Sequence, residues 1–259
     1  MKKYLVFLLA FQSIIAFSND KLTDEQALEL GMTEVFQTKI KSNKLDEDVT
    51  NNTEINKGYD LNNDDINSTL AEVVVIVNES DRSAENPEGQ TARLYHHGVL
   101  LHQFDVSTGS RKTKVTTSGR SYVAVTPEGF WRPKKAYQDY YSYTFFGATM
   151  PYAIFYHGGI ALHGTTSVKK LGTRDSGGCV RFNPKDIKII NDLIRSTGDG
   201  NKNMSTEKLC LDSDPGQCIT RKMYLDRTKL SDVDRRTGYE TDKILWTYDA
   251  LIIVKKPFN

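Results

Sequence analysis

Cys179 closes a Ser176-Gly177-Gly178-Cys179 turn, sixteen residues after His163 and two before Arg181. It is one of three cysteines in the chain. A thiol has a pKa near ~8.5 and becomes a nucleophile at neutral pH when a base or a positive neighbour draws off its proton. The stretch from Tyr156 to Phe182 supplies a histidine, a glycine-rich turn and an arginine in one short run. His163 would take the thiol proton and return it to a leaving amine as general acid. Gly177 and Gly178 allow a tight turn, so that backbone N–H groups at Gly178 and Cys179 would face a developing oxyanion. Ser176 is read as orienting that turn. Arg181 either braces it or binds a substrate carboxylate, which its planar fork suits.

Plainer readings stand beside these. Cys179 could be a small buried hydrophobe, the common fate of a free cysteine, but its place after two glycines in a polar turn argues against that. His163 alone would be read as a core histidine, and only the surrounding motif reverses this. His157 either lines the cleft as a substrate contact or serves packing. His96, His97 and His102 read as hairpin or surface residues. No histidine and cysteine spacing completes a metal-ligand set, so neither a metal nor another cofactor is expected.

Several elements must position this segment. Glu72–Val77 is β-branched and apolar, the pattern of a buried strand. Residues 90–96 and 99–106 read as strands around a His97-Gly98 hairpin tip. Ser121–Val125 is a further strand, ending at the Thr126-Pro127-Glu128-Gly129 turn. Tyr141–Phe146, Tyr152–Tyr156 and Gly159–His163 are short strand candidates, and Ser167–Leu171 a helical turn. Pro184–Ser196 reads as a helix capped by Asn183, with Ile187, Ile189, Ile190, Leu193 and Ile194 as its apolar face. Residues 244–255 supply one or two closing strands. The aromatic group around Tyr137, Tyr140 and Phe145 fits either plain core or a lid over the cleft.

These residues together resemble the L,D-transpeptidase catalytic domain, the YkuD-type family of bacterial cell-wall enzymes. The motif pieces are His163-Gly164-Thr165, Leu171-Gly172 and Ser176-Gly177-Gly178-Cys179-Val180-Arg181. Upstream, Ser107-Thr108-Gly109, the Thr126–Gly129 turn and Met150-Pro151-Tyr152 fit the same pattern. The resemblance covers about residues 71–196 and the final strand. It implies a mainly β sandwich or barrel with a helix beside the cysteine turn. It also implies that the Gly164 backbone carbonyl orients the His163 ring. Many members carry histidine where this chain has Gly177, so no role for a second histidine carries over. The implied substrate is a peptidoglycan stem peptide, attacked between an L-centre and a terminal D-alanine. The acceptor would be another stem peptide, giving a 3-3 cross-link, or an envelope protein. With water as acceptor the same site would be an L,D-carboxypeptidase. An inactive peptidoglycan-binding module is the reading from a different class. A sortase places its histidine much further from its cysteine, and papain-like or NlpC-type peptidases place cysteine before histidine.

The rest of the chain bounds this reading. The 259 residues are enough for a sizeable core, and Lys+Arg of 34 against Asp+Glu of 33 gives a net charge of +1. That balance lacks the basic excess of a nucleic-acid binder. Residues 1–18 read as a signal peptide, with Lys2 and Lys3 ahead of an apolar run and Ala16-Phe17-Ser18 at the cleavage site. The run falls short of the ~20 residues of a spanning helix, so no membrane span is expected after cleavage. Export to the periplasm or cell envelope of a bacterium follows. In such an oxidising compartment Cys210 and Cys218 are expected to pair, leaving Cys179 as the odd thiol. Two buried thiols or a metal pair are the alternatives. Residues 19–70 read as a polar segment, with a helix over Thr23–Lys41 and an Asn-rich flexible linker after it. Residues 71–259 form the expected catalytic domain, with an insertion at about 197–243.

Overall fold

The computed structural model describes residues 71–115, 121–142, 148–211 and 214–255. The signal peptide, the Thr23–Lys41 helix, the linker and residues 143–147 of the aromatic segment lie outside the described residues. The fold is mainly β. Its strands are β1 (Val73–Asn78), β2 (Thr91–His96), β3 (Val99–Asp105), β4 (Thr113–Val115), β5 (Ser121–Val123) and β6 (Gly129–Trp131). They continue as β7 (Lys135–Asp139), β8 (Tyr141–Ser142), β9 (Ala148–Thr149), β10 (Ile154–His157), β11 (Ile160–Gly164) and β12 (Val180–Phe182). Helix α1 (Pro184–Ser196) follows, then β13 (Met204–Leu211), β14 (Asp214–Tyr224), β15 (Thr228–Val233), β16 (Glu240–Thr247) and β17 (Ala250–Lys255).

Two sheets carry the architecture. The first runs β3-β2-β1-β17-β6 and the second β12-β11-β10-β7-β14-β13. The continuous apolar run of β1 has a physical reason: both of its faces are covered. Val73, Val75 and Val77 face the core shared with Ile154, Leu162 and Phe182 of the second sheet. Val74 and Ile76 pack on the opposite side with Phe130, Val233 and Ile253.

Helix α1 begins where the sequence places it. Asn183 Oδ1 accepts the Lys185 N–H at 3.0 Å, and Pro184 follows at the first helical position. Ile187, Ile190 and Ile194 are fully buried, at the i, i+3, i+7 spacing of one helix face. Ile189, expected on that face, is 41% exposed, because its position points a quarter-turn away. The helix lies so close on β11 that a Cβ at Gly164 would stand 3.1 Å from Pro184 Cα and 2.9 Å from Pro151 Cγ.

The segment read as an insertion holds two β-hairpins. β13 and β14 add to the edge of the second sheet through Lys222↔Asp139 and Met223↔Tyr137. β15 and β16 form a separate two-stranded ribbon. Cys210 and Cys218 are register partners, 3.9 Å apart between Cα atoms and joined by a disulfide. Cys179 takes no part in a disulfide, and it is buried. Among the described residues no helix is long and apolar enough to cross a membrane.

Candidate active site

β11 and β12 run parallel, with Leu162 opposite Val180 and His163 opposite Arg181. Side chains along a strand alternate between faces. Leu162 and Val180 therefore point into the main core, while His163 and Arg181 share the other face. Cys179 stands one residue before Val180, on the His163 face, packed with Ala161, Tyr137 and Met150. His163 on β11 and Cys179 immediately before β12 thus lie on the same face of adjacent strands.

The His163 ring is 4% exposed, and its Nδ1 lies 2.8 Å from the Gly164 carbonyl oxygen. A carbonyl only accepts, so Nδ1 carries the proton and Nε2 keeps its lone pair. Burial pushes the His163 pKa down to about 3, against an upward effect of the Gly164 hydrogen bond, and the Arg181 charge lowers it further. The imidazole is neutral at physiological pH, with an unprotonated Nε2 able to accept a hydrogen bond. Cys179 is 3% exposed, and its Sγ lies 3.8 Å from the Gly159 carbonyl oxygen.

The cysteine turn is held by a closed polar network. Ser176 Oγ donates to the Cys179 carbonyl at 2.5 Å and accepts the Gly178 N–H at 3.0 Å. The Gly178 N–H, expected from the sequence to face an oxyanion, is engaged within the turn by Ser176 Oγ. Gly178 has a φ of +137°, and a Cβ there would stand 3.0 Å from both the Val125 carbonyl oxygen and Ile160 Cδ1. Only glycine takes that backbone without strain. Gly177 precedes it as the other small residue of the turn.

The first sheet's loops brace the turn from outside. Ser107 and Arg181 exchange backbone hydrogen bonds of 3.0 and 2.9 Å. The Thr108 carbonyl accepts the Ser176 N–H at 2.9 Å, and the Ser176 carbonyl accepts the Ser110 N–H at 2.8 Å. Thr126 Oγ1 accepts the Gly109 N–H and donates to the Gly178 carbonyl, both at 2.9 Å. Gln90, fully buried, holds Thr108 in turn: its Oε1 accepts from the Thr108 N–H and hydroxyl, while its Nε2 donates to the Glu79 and Ser80 carbonyls. Neither Gln90 nor Thr126 was assigned a role from sequence. The only signal was the flanking Ser-Thr-Gly and Thr-Pro-Glu-Gly turns.

Arg181 is 2% exposed, and its guanidinium pairs with Asp175 Oδ2 at 3.2 Å. Of the two roles open in the sequence, the Asp175 pairing fits a brace, and the substrate-carboxylate role stays open. His157 has an aromatic neighbour in the first sheet. Its ring packs against Trp131 at a tilt of 40°, with the centroids 4.1 Å apart. Burial, with the charges of Lys134 and Arg235, lowers its pKa to about 4. Tyr137 packs edge-on against Tyr140 and Phe155, and Tyr140 and Phe155 are tilted to one another, on the Cys179 side of β7 and β10, so Tyr137 and Tyr140 are buried core.

Comparison with solved structures returns several L,D-transpeptidases. One from Xylanimonas cellulosilytica is 20% identical, covering 46% of this chain and 53% of that chain, with a TM-score of 0.34. One from Mycobacterium smegmatis is 14% identical over 71% of this chain and 59% of that chain, with a TM-score of 0.39. One from Stackebrandtia nassauensis is 21% identical over 47% of this chain and 50% of that chain, with a TM-score of 0.35. The chain thus spans between half and three-fifths of the length of these three structures. No curated protein matches. The decisive finding is a family profile, YkuD, the L,D-transpeptidase catalytic domain, which matches residues 72–208. That span exceeds half of the 259 residues and takes in the first strand, the histidine strand and the cysteine turn, so the chain belongs to the L,D-transpeptidase catalytic domain family.

Proposed function

We propose that this protein is an exported, cysteine-dependent peptidoglycan L,D-transpeptidase working through a thioester. The observation that carries the reading is the His163 ring, buried neutral with its Nδ1 on the Gly164 carbonyl and its Nε2 left unprotonated on the Cys179 face. In the first half-reaction Nε2 takes the Cys179 thiol proton as Sγ attacks the stem-peptide carbonyl between the L-centre and the terminal D-alanine. The carbonyl oxygen takes up negative charge in the tetrahedral state. The Cys179 backbone N–H is the donor proposed for it, since the Gly178 N–H is spent on Ser176. One such donor is worth roughly 3–4 kcal/mol. His163 then returns the proton to the departing D-alanine nitrogen, the C–N bond breaks, and the thioester remains.

In the second half-reaction an acceptor amine attacks the thioester, passes its proton to His163 and releases the Cys179 thiol. A stem-peptide amine gives a 3-3 cross-link, and a lysine of an envelope protein gives a wall-anchored protein. Water gives L,D-carboxypeptidase activity, the second reading. The partly buried Met223 of β14 packs against the Cys179 cluster, so the 204–224 hairpin is placed to influence which acceptor enters. Arg181 acts here as a positioning residue, with its positive charge beside the imidazole favouring the neutral form.

The test is incubation of the mature protein and its Cys179→Ala variant with disaccharide-tetrapeptide, followed by mass analysis of protein and products. A cross-linked dimer with wild type and none with Cys179→Ala is expected. Tripeptide alone would favour the carboxypeptidase. The same acyl adduct on Cys179→Ala would defeat the assignment of the nucleophile, and no turnover by wild type would leave a binding module.

A further inference from the structure

We propose that Glu72, His96 and His97 form a binding site for a single zinc-class transition-metal ion, which clips the start of the domain to the β2–β3 hairpin. His96 ends β2, and its register partner is Val73. Glu72 precedes Val73, and its carbonyl accepts the His97 N–H at 2.8 Å. The backbone therefore fixes all three residues at one corner of the first sheet.

The hairpin loop explains how two adjacent histidines converge. Consecutive strand residues point to opposite faces. His97 and Gly98, however, have φ of 47° and 77°, the left-handed pair of a type I′ turn. That turn swings the His97 ring to the side of His96, and the ring centroids lie 4.2 Å apart. Asn-Gly is the favoured sequence of such a loop, and here a histidine fills the first place.

The donor atoms already stand close to metal geometry. Glu72 Oε1 is 3.1 Å from His96 Nε2 and 3.9 Å from His97 Nε2. The donor atoms of all three residues lie within 4.8 Å of one another. Ligands at ~2.0–2.1 Å from a tetrahedral zinc sit about 3.3 Å apart, a change that small side-chain rotations supply. A simple His96–Glu72 hydrogen bond accounts for two of these groups, but not for the His97 ring converging on the same oxygen. Glu72 and His96 side chains are about one-third exposed and His97 is 66% exposed, so water can complete the fourth position. Two imidazoles and one carboxylate suit zinc, copper or nickel, whereas magnesium and calcium take oxygen ligands. The 24 residues separating Glu72 from His96 hide the set from any sequence motif. Its place on the first sheet, apart from the β11–β12 face of Cys179, makes it a structural site.

The test is calorimetric titration of the untagged, metal-stripped protein with ZnCl2, alongside His96→Ala, His97→Ala and Glu72→Gln. Wild type should bind one zinc per chain and gain thermal stability from it. Each histidine variant should bind more than about tenfold more weakly, since loss of even an outer-shell partner costs ~10–100-fold. His97 lies exposed at the hairpin tip, so its variant should keep the wild-type circular dichroism spectrum and lose only the zinc-induced shift in Tm. Absence of binding by wild type would overturn the proposal. So would binding of unchanged affinity in both histidine variants, or equal saturation of the site by MgCl2.

Discussion

Acidification should destabilise this domain through two identifiable histidines. Burial holds His163 at a pKa of about 3 and His157 at about 4, against an ordinary value of 6.5. As pH falls below about 6.5 the unfolded chain takes up protons that the folded chain refuses. The stability from each neutral imidazole is fully present above that pH and is lost as pH falls toward its folded pKa. At about pH 5 the unfolded imidazoles are nearly all charged and the folded ones nearly all neutral, so each histidine costs about 2 kcal/mol relative to pH 7.5. At that pH the size is governed by the unfolded pKa, because both folded values lie lower. Together the loss is about 4 kcal/mol, a large part of the ~5–15 kcal/mol that holds a typical domain folded. The assay is urea unfolding of wild type, His163→Gln and His157→Gln at both pH values. Each variant's own offset, and the titration of every other group, cancels in the difference between pH values. Each should show a pH-dependent loss smaller than wild type by about 2 kcal/mol. If His163→Gln loses as much stability on acidification as wild type, the ring is not held neutral by burial, and the argument for its unprotonated Nε2 fails with it.

Two substitutions probe the cysteine turn. Ser176→Ala deletes the hydroxyl that both accepts from Gly178 and donates to Cys179. It leaves buried backbone groups unpaired at a cost of about 2–3 kcal/mol. Acylation by a stem peptide or a carbapenem, followed by intact-mass spectrometry, should slow by more than the stability loss implies, and a rate equal to wild type would refute the bracing role. Gly178→Ala forces a side chain into a left-handed backbone against the Val125 carbonyl. It should lower stability by more than about 1 kcal/mol and abolish acylation. Retained acylation would show that the turn has another conformation.

What could be read in the sequence depended on whether the physics was local. The α1 helix carries its own cap, its proline and its isoleucine spacing, and its bounds are the same in sequence and structure. The His97-Gly98 tip and the β1 strand are equally local. β7, the β13–β14 hairpin and β15 do not read as strands in the sequence, because half-exposed faces such as those of β7 and β15 mix polar and apolar residues and pairing with neighbours holds them in place, whereas the 244–247 half of β16 falls within the expected closing strands. The network around Cys179 was hidden for the same reason. Gln90 and Thr126 are ordinary polar residues until the fold brings them, 18 and 52 residues away in sequence, against Thr108 and Gly178.

That network also says where the geometry of the site is stored. Cys179 stands beside a strand of the second sheet, yet the groups that fix its turn come from loops of the first: Ser107, Thr108 and Gly109 after β3, and Thr126 before β6. Gln90 ties those loops to the end of β1 through the Glu79 and Ser80 carbonyls. Glu79, 1% exposed, pairs with Arg111 and with Arg174, the residue two before Ser176. A buried carboxylate with two guanidinium partners is costly to disrupt, because removing one partner strands the remaining charge in the interior. The position of Cys179 is therefore set by how the two sheets dock. A change in the first sheet that leaves every residue of the His163–Cys179 pair intact can still move the thiol, and a shift near 1 Å is enough to cost ~100-fold in rate.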